Sequence, residues 1–271
     1  MRPMPLEVDL VLPRLGATPS GRRVVFTLSR ASGILGLCGP SGSGKTTLLR
    51  VMAGLCPKAS GVVRVDGVPW LDSNLGTDLP LEGRSVAYLP QGVSLFPHMN
   101  VRENLVFASR LAGSARVVKR PPSTGRLAGF RSFWRARGLP GWAQEVVELF
   151  GVSRLLEKRS GELSGGQVTR IALARCFLRS ARLYLLDEPF AGVDPEGRAS
   201  LGRILAGLLA RRQAMALLVT HTPDELCPLA GGMVRLLPEE DGDGSPGVPV
   251  SPGRMSETEA RGLLARSGGW E

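Results

Sequence analysis

Nine residues, Gly39-Pro40-Ser41-Gly42-Ser43-Gly44-Lys45-Thr46-Thr47, constrain the fold of this chain more than any other stretch. They fit G-x-x-x-x-G-K-[ST] and stand between an apolar run, Ile34-Leu35-Gly36-Leu37-Cys38, and a helix-like run from Leu48 to Leu55. Strand, loop and helix in that order are the setting in which this motif cradles phosphate. Gly42 and Gly44 lack a Cβ, so the backbone can fold tightly and turn its N–H groups inward. The helix that starts near Lys45 adds the positive end of its dipole. Lys45 brings a charge able to reach the β and γ phosphates, and the Thr46 hydroxyl can ligate Mg²⁺. A Gly-rich turn before an ordinary helix is the plainer reading. The four fixed positions would match by chance in a chain of this length on the order of once in a hundred, and the required context lowers that further.

Around the loop, strand-like and helix-like segments alternate. Residues 6–37 read as short strands with turns at Gly16 and Ser20-Gly21, and Gly61–Gly67 and Ser85–Leu89 as further strands, the last ended by Pro90-Gln91. Asn100-Val101-Arg102-Glu103 is a capping-box start. Ala143 to Leu156 and Ser164 to Ser180 read as helices, Arg182 to Leu186 and Ala216 to Thr220 as buried strands. Asp194-Pro195 caps a helix that runs to about Arg212, and Thr222-Pro223-Asp224-Glu225 opens another. This alternation predicts an α/β fold with a mostly parallel sheet and ligands at the carboxyl ends of its strands. Residues 92–165 hold no convincing strand and are expected to form a separate helical subdomain. Residues 238–253 read as a Pro/Gly-rich linker and 254–271 as a tail with one short helix.

Composition narrows the class. At 271 residues with 43% apolar content the chain can bury one sizeable α/β core. No uninterrupted apolar stretch is long enough to span a membrane, and the first residues lack the apolar core of a secretory signal. Cys38, Cys56, Cys176 and Cys227 show no C-x-x-C spacing and are expected to be buried, reduced thiols of a cytosolic protein. The net charge of +10 is local: residues 104–144 hold eight of the 34 Lys and Arg and no acid, leaving 26 basic against 24 acidic residues elsewhere. General attraction to nucleic acid is therefore not expected. Within that segment, 113–142 reads as a basic insertion in which Leu127, Phe130, Phe133 and Trp134 recur at helical spacing between arginines. A solvated insertion and a basic amphipathic helix for a membrane or partner both remain open.

Two further stretches carry chemistry. Leu183-Tyr184-Leu185-Leu186-Asp187-Glu188 is an apolar strand that ends in two carboxylates. After a phosphate loop, Asp187 suits Mg²⁺ held through water and Glu188 suits polarisation of an attacking water. Ser164-Gly165-Gly166-Gln167 is a capping box, yet two consecutive glycines in a first helical turn are costly. They leave bare N–H groups for an anion.

Leu163 to Gln167, followed by Arg170-Ile171-Ala172-Leu173-Ala174-Arg175 and Asp187-Glu188-Pro189, resembles the signature region of ATP-binding cassette (ABC) ATPases. Gln91 is similar to that family's Q-loop, Ala191-Gly192-Val193-Asp194 to its D-loop and His221 to its switch histidine. The likeness runs from about residue 6 to 237, taken as the ATPase domain 1–237. It implies a P-loop NTPase with an antiparallel β-subdomain beside the parallel core sheet and an inserted helical subdomain.

The resemblance further implies that ATP and Mg²⁺ are bound, with residues 39–47 on the phosphates and Thr46, Gln91 and Asp187 around the metal. Glu188, His221, Gln91 and Lys45 are implied in catalysis. Ser164, Gly165, Gly166, Gln167 and Asp194 are implied to complete the site of a second copy, so that a homodimer sandwiches two ATP. Transmembrane permease subunits are the implied partners, with a solute-binding protein in the complex, at the cytoplasmic face of the membrane. Phe96-Pro97-His98-Met99 resembles the docking groove of importer subunits, although a packed loop fits equally well. The string as a whole resembles ATPases of molybdate and thiamine importers. An exporter ATPase and a soluble ABC ATPase are the alternatives.

The chain departs from the family's pattern in three places. Residues 1–25 lack the aromatic that would stack on adenine. Val168-Thr169 replaces the polar pair common after the signature. No appended regulatory domain is expected after residue 237.

Overall fold

Alternation of inward and outward side chains sets the first strand. In β1 (Leu6–Leu12) Leu6, Val8, Leu10 and Leu12 are buried, and Glu7, Asp9 and Val11 are half-exposed between them. In the computed structural model, which describes residues 6–12, 22–29, 33–56, 59–92, 95–112, 139–220 and 230–236, β1 is flanked on both sides by antiparallel partners. These are β2 (Arg22–Leu28) and β4 (Ser60–Val65). With β5 (Val68–Asp72) and β6 (Thr77–Asp78) they make a five-stranded sheet in the order β2-β1-β4-β5-β6. Arg23 donates to both carboxylate oxygens of Asp9 across the β1–β2 pair, at 2.8 and 2.7 Å, and this hydrogen bonding lowers the Asp9 pKa.

The second sheet is parallel throughout. Its order is β10 (Gly232–Arg235), β3 (Ile34–Cys38), β9 (Met215–Val219), β8 (Leu183–Asp187) and β7 (Val86–Leu89). Every residue of β8 and β9 is buried, as the continuous apolar runs of a sheet covered on both faces require. One apolar core joins the two sheets and helix α1 (Lys45–Met52), drawing Leu10 and Val63 from one sheet, Leu37, Leu185 and Leu217 from the other, and Leu48, Leu49 and Met52 from the helix. All these elements belong to one compact unit, within Met1–Pro90, Ala181–Glu188 and Leu205–Glu271.

The far end of α1 is fixed by an arginine that the sequence leaves inconspicuous. The Arg84 side chain is 1% exposed. It donates to the carbonyls of Val51 (2.8 Å), Met52 (2.9 Å) and Leu79 (2.7 Å) and to Asp78 (2.7 Å). A buried guanidinium is tolerable only with its donors satisfied, and here two of them reach carbonyls in the last turn of α1.

The second unit lies within Gln91–Ser180 and Pro189–Ile204. Its helices are α2 (Val101–Ala112), α3 (Gly141–Leu149) and α4 (Gly165–Phe177), together with the first part of α5 (Pro195–Arg212). The box at Asn100 forms as expected: Asn100 Oδ1 accepts from the Glu103 amide and Glu103 Oε2 from the Asn100 amide, both at 2.8 Å. Phe150 and Phe177 pack with ring centroids 5.8 Å apart, and Val146, Val147 and Ile171 are buried as well. Among the described residues of 92–165 there is no strand, only one bridge between Asn100 and Arg159.

Most of the basic insertion (113–138) lies outside the described residues, as do the linker 238–253 and the tail 254–271. Cys38, Cys56 and Cys176 are thiols, half-buried rather than fully buried, because each sits at or near the end of its element; Cys227 lies outside the described residues.

Candidate functional site

The loop between β3 and α1 is held by its own lysine. Lys45 is 5% exposed, and its ammonium donates to the carbonyls of Gly39 and Pro40, each at 2.7 Å, and to Ser43 Oγ at 3.4 Å. The Ser43 amide closes a turn onto the Pro40 carbonyl at 3.2 Å. Gly44, with φ 90° and ψ 10°, begins α1 without any side-chain cap, so the amides of the first turn keep no partner from a capping side chain. A left-handed backbone at that point favours glycine. Ser41 and Gly42 are exposed, and a Cβ placed on Gly42 would meet nothing within 4 Å. At Gly39 the reverse holds: a Cβ would fall 2.2 Å from the Leu236 carbonyl, so β3 can pass the end of β10 only as glycine.

Two residues remote in sequence meet beside this loop. Thr46 Oγ1 donates to Asp187 Oδ2 at 2.8 Å. Asp187 is buried at the C-terminal end of β8. Tyr88, half-buried on β7, has its phenol pKa raised by burial and then by the negative charge of Asp187. Glu188 follows with φ 51°, a left-handed conformation uncommon for a glutamate, and its amide donates to the Val219 carbonyl at 3.0 Å.

The residues present fit a nucleotide triphosphate with Mg²⁺. Amides at a helix start without a capping side chain and a buried ammonium suit phosphate oxygens, and a hydroxyl beside a carboxylate suits a hard cation. Among the described residues no group of three or more His, Cys, Asp or Glu could hold a metal. A cation here would therefore complete its shell with water and phosphate, as Mg²⁺ commonly does.

In the second unit Ser164 caps α4. Its Oγ accepts from the Gln167 amide at 3.3 Å, and Gln167 Oε1 accepts from the Ser164 amide at 3.1 Å. Ser164 and Gly165 are exposed; Gly166 and Gln167 are half-buried. Gly166 packs under the following turn, where its Cβ would lie 3.3 Å from the Gly192 carbonyl. Asp194 caps α5 by accepting from the Gly197 amide at 2.8 Å. That bond holds its carboxyl below the usual range, and the charges of Arg170 and Arg198 act in the same sense.

Gln91 is exposed just after β7. His221 lies outside the described residues. The loop after Gln91 is packed within its own unit: Met99 is 3% exposed, Phe96 stacks edge-on to Phe107 at 5.2 Å, and the Arg175 guanidinium lies 5.2 Å from the Phe96 ring centre. Pro97 and His98 remain exposed.

A family model described as ABC transporter matches residues 22–191. The chain belongs to the ABC transporter family. Curated relatives of this ABC chain include the "Molybdenum import ATP-binding protein ModC" of Albidiferax ferrireducens, 41% identical over 204 residues, or 75% of this chain and 49% of the relative. The protein of the same name from Paramagnetospirillum magneticum is 36% identical over 253 residues, or 90% and 64%. The chain thus spans about half to two thirds of the length of these relatives. A solved ATP-binding cassette of an ABC transporter, in its ADP conformation, superposes with a TM-score of 0.66 over 97% of this chain and 96% of that one, at 21% identity. The fold is that of an ABC cassette. Among the described residues no helix is long and apolar enough to cross a membrane.

Sequence reasoning missed two residues that shape these segments. Arg84 carries no signal, because its carbonyl partners on α1 lie more than thirty positions away. Thr169 stood out only as a departure from the family's pattern, and its hydroxyl donates to the Ala191 carbonyl at 2.8 Å.

Proposed function

We propose that this chain binds and hydrolyses ATP to energise a bacterial ABC importer of molybdate type. It would work as a homodimer on transmembrane permease subunits, with a solute-binding protein in the complex, at the cytoplasmic face of the membrane. The observation that carries this reading is the bond from Thr46 on the phosphate-loop helix to Asp187 at the end of β8, beside the buried Lys45. It joins the two elements that a Mg-nucleotide needs.

Mg²⁺ would offset charge on the β and γ phosphates. Lys45 binds those phosphates, and residues 39–47 enclose them with backbone amides. Thr46 and Asp187 would orient the metal's shell, and the family resemblance adds Gln91 as a further ligand. Glu188 takes a proton from water, and its left-handed backbone supports that assignment, because strain of this kind gathers at functional positions. The family resemblance gives His221 the role of meeting the γ-phosphate. Ser164 to Gln167 and Asp194 meet the nucleotide of the partner copy. The importer direction and the molybdate class are supported by what the relatives are named for.

The test is Glu188→Gln. This variant should keep MgATP binding, lose turnover by at least about a hundredfold as expected for removal of a general base, and accumulate as a dimer with ATP. Normal hydrolysis by the variant would reject Glu188 as the base. A monomer saturated with ATP would reject the sandwich.

A further inference from the structure

The turn over residues 189–194 is fastened to the start of α4 at several points. The Thr169 hydroxyl, on a side chain whose residue is 6% exposed, donates to the Ala191 carbonyl at 2.8 Å. One turn earlier in the helix, Gly166 lets the Gly192 carbonyl come so near that a Cβ would lie 3.3 Å from it. Gly192 itself is left-handed, φ 72°, and its own Cβ would sit 3.7 Å from the Gly165 carbonyl carbon. Phe190 and Val193 are buried on either side of this contact, so the turn cannot lift without exposing both. Beyond it, Asp194 is bound to the Gly197 amide, and a Cβ on Gly197 would approach Arg170 of α4 to 3.2 Å.

Most of these contacts are close backbone packing at glycines. Thr169 is different, since its side chain donates a hydrogen bond across the contact and has the geometry to set the turn's register. We infer that Thr169 is a positioning residue whose hydroxyl straps the 189–194 turn to the helix start at Ser164, so that both segments present one rigid surface to a second copy of this chain. This rests on the dimeric reading given above. A valine has nearly the same shape but cannot donate, leaving the Ala191 carbonyl without the Thr169 hydrogen bond. Serine keeps the donor.

Hydrogen exchange tests the strap in the isolated monomer. In Thr169→Val, amides within residues 190–194 should exchange about tenfold faster, the expected effect of one lost hydrogen bond. Thr169→Ser should stay near the parent. Sedimentation with MgATP in the Glu188→Gln background then reads the consequence. Adding Thr169→Val should weaken dimerisation about tenfold, adding Thr169→Ser should restore it, and the monomer's affinity for a fluorescent nucleotide should stay unchanged in both. Unchanged exchange in Thr169→Val overturns the strap, as does faster exchange with dimerisation at the parent level. A Glu188→Gln chain that never dimerises refutes the sandwich instead, and exchange at 190–194 alone then decides whether the strap exists.

Discussion

Two helices of this chain begin on glycine-rich sequence and solve the problem of their open amides in opposite ways. At α1 no side chain caps the helix; Gly44 turns the chain left-handed, and Lys45 folds back onto the loop carbonyls. At α4 the helix is closed by its own residues, with Ser164 and Gln167 satisfying each other reciprocally. The first start leaves its amides without a capping side chain, which suits a ligand bound by the same chain. The second is complete in isolation and exposes Ser164 and Gly165, which suits a surface offered to another molecule. One sequence device, the stripped Cβ, thus serves two ends, and the neighbouring side chain decides which.

The comparison is broken most severely at Lys45. Lys45→Ala removes the only ammonium in the loop and should weaken MgATP binding by roughly a hundredfold or more, because charge-assisted hydrogen bonds to phosphate are among the strongest available. Titration with a fluorescent nucleotide measures it. Affinity within a few-fold of the parent would mean that the loop's amides suffice and that the lysine only ties the loop to itself.

That contrast was partly legible before any coordinates. The spacing of Gly39, Gly44, Lys45 and Thr46 marks the loop, the S-x-x-Q pattern marks the cap at Ser164, and the run of apolar residues to Asp187 marks a central strand. Each signal is local, so a window of a few residues contains it. What stayed hidden depends on distant partners. β10 is four residues, Gly-Met-Val-Arg, too short to show a period, and becomes a strand only because β3 offers it a parallel edge. β5 and β6 are five and two residues long, too short to show a period even after the left-handed Asp66-Gly67 turn. Arg84 reads as a surface charge until α1 lays its last carbonyls over it. Thr169 reads as an oddity until the 189–194 turn, some twenty residues on, offers it the Ala191 carbonyl.

A smaller effect separates the helix starts. Ser164→Ala removes the Oγ that accepts from Gln167 and should cost about 1 kcal/mol, lowering the unfolding midpoint by about 2–4 °C for a domain of this size. The monomer's nucleotide affinity should not move. Scanning calorimetry and nucleotide titration on the same variant check both halves. A Ser164→Ala chain that loses nucleotide affinity as Lys45→Ala does would abolish the distinction between an inward and an outward start.

The smallest expected effect concerns acid. Asp194 caps α5 next to the turn that rests on α4, and its carboxyl is held below the ordinary range mainly by the Gly197 amide. A group whose folded pKa is depressed stabilises fully above its unfolded value, about 4 for aspartate, and loses that contribution as pH falls through the folded value. Asp194→Asn keeps a competent cap but has no charge to lose. Between pH 5 and 8 (about one unit or more above that value), the parent's melting midpoint should exceed the variant's by a constant small margin. Below about pH 4 the margin should shrink toward zero. Because Asp194 is exposed, added salt should reduce the part owed to Arg170 and Arg198 and spare the part owed to the amide. A margin that stays level down to pH 3, or widens there, would show that the cap acts through shape alone and that charge adds nothing at this helix start.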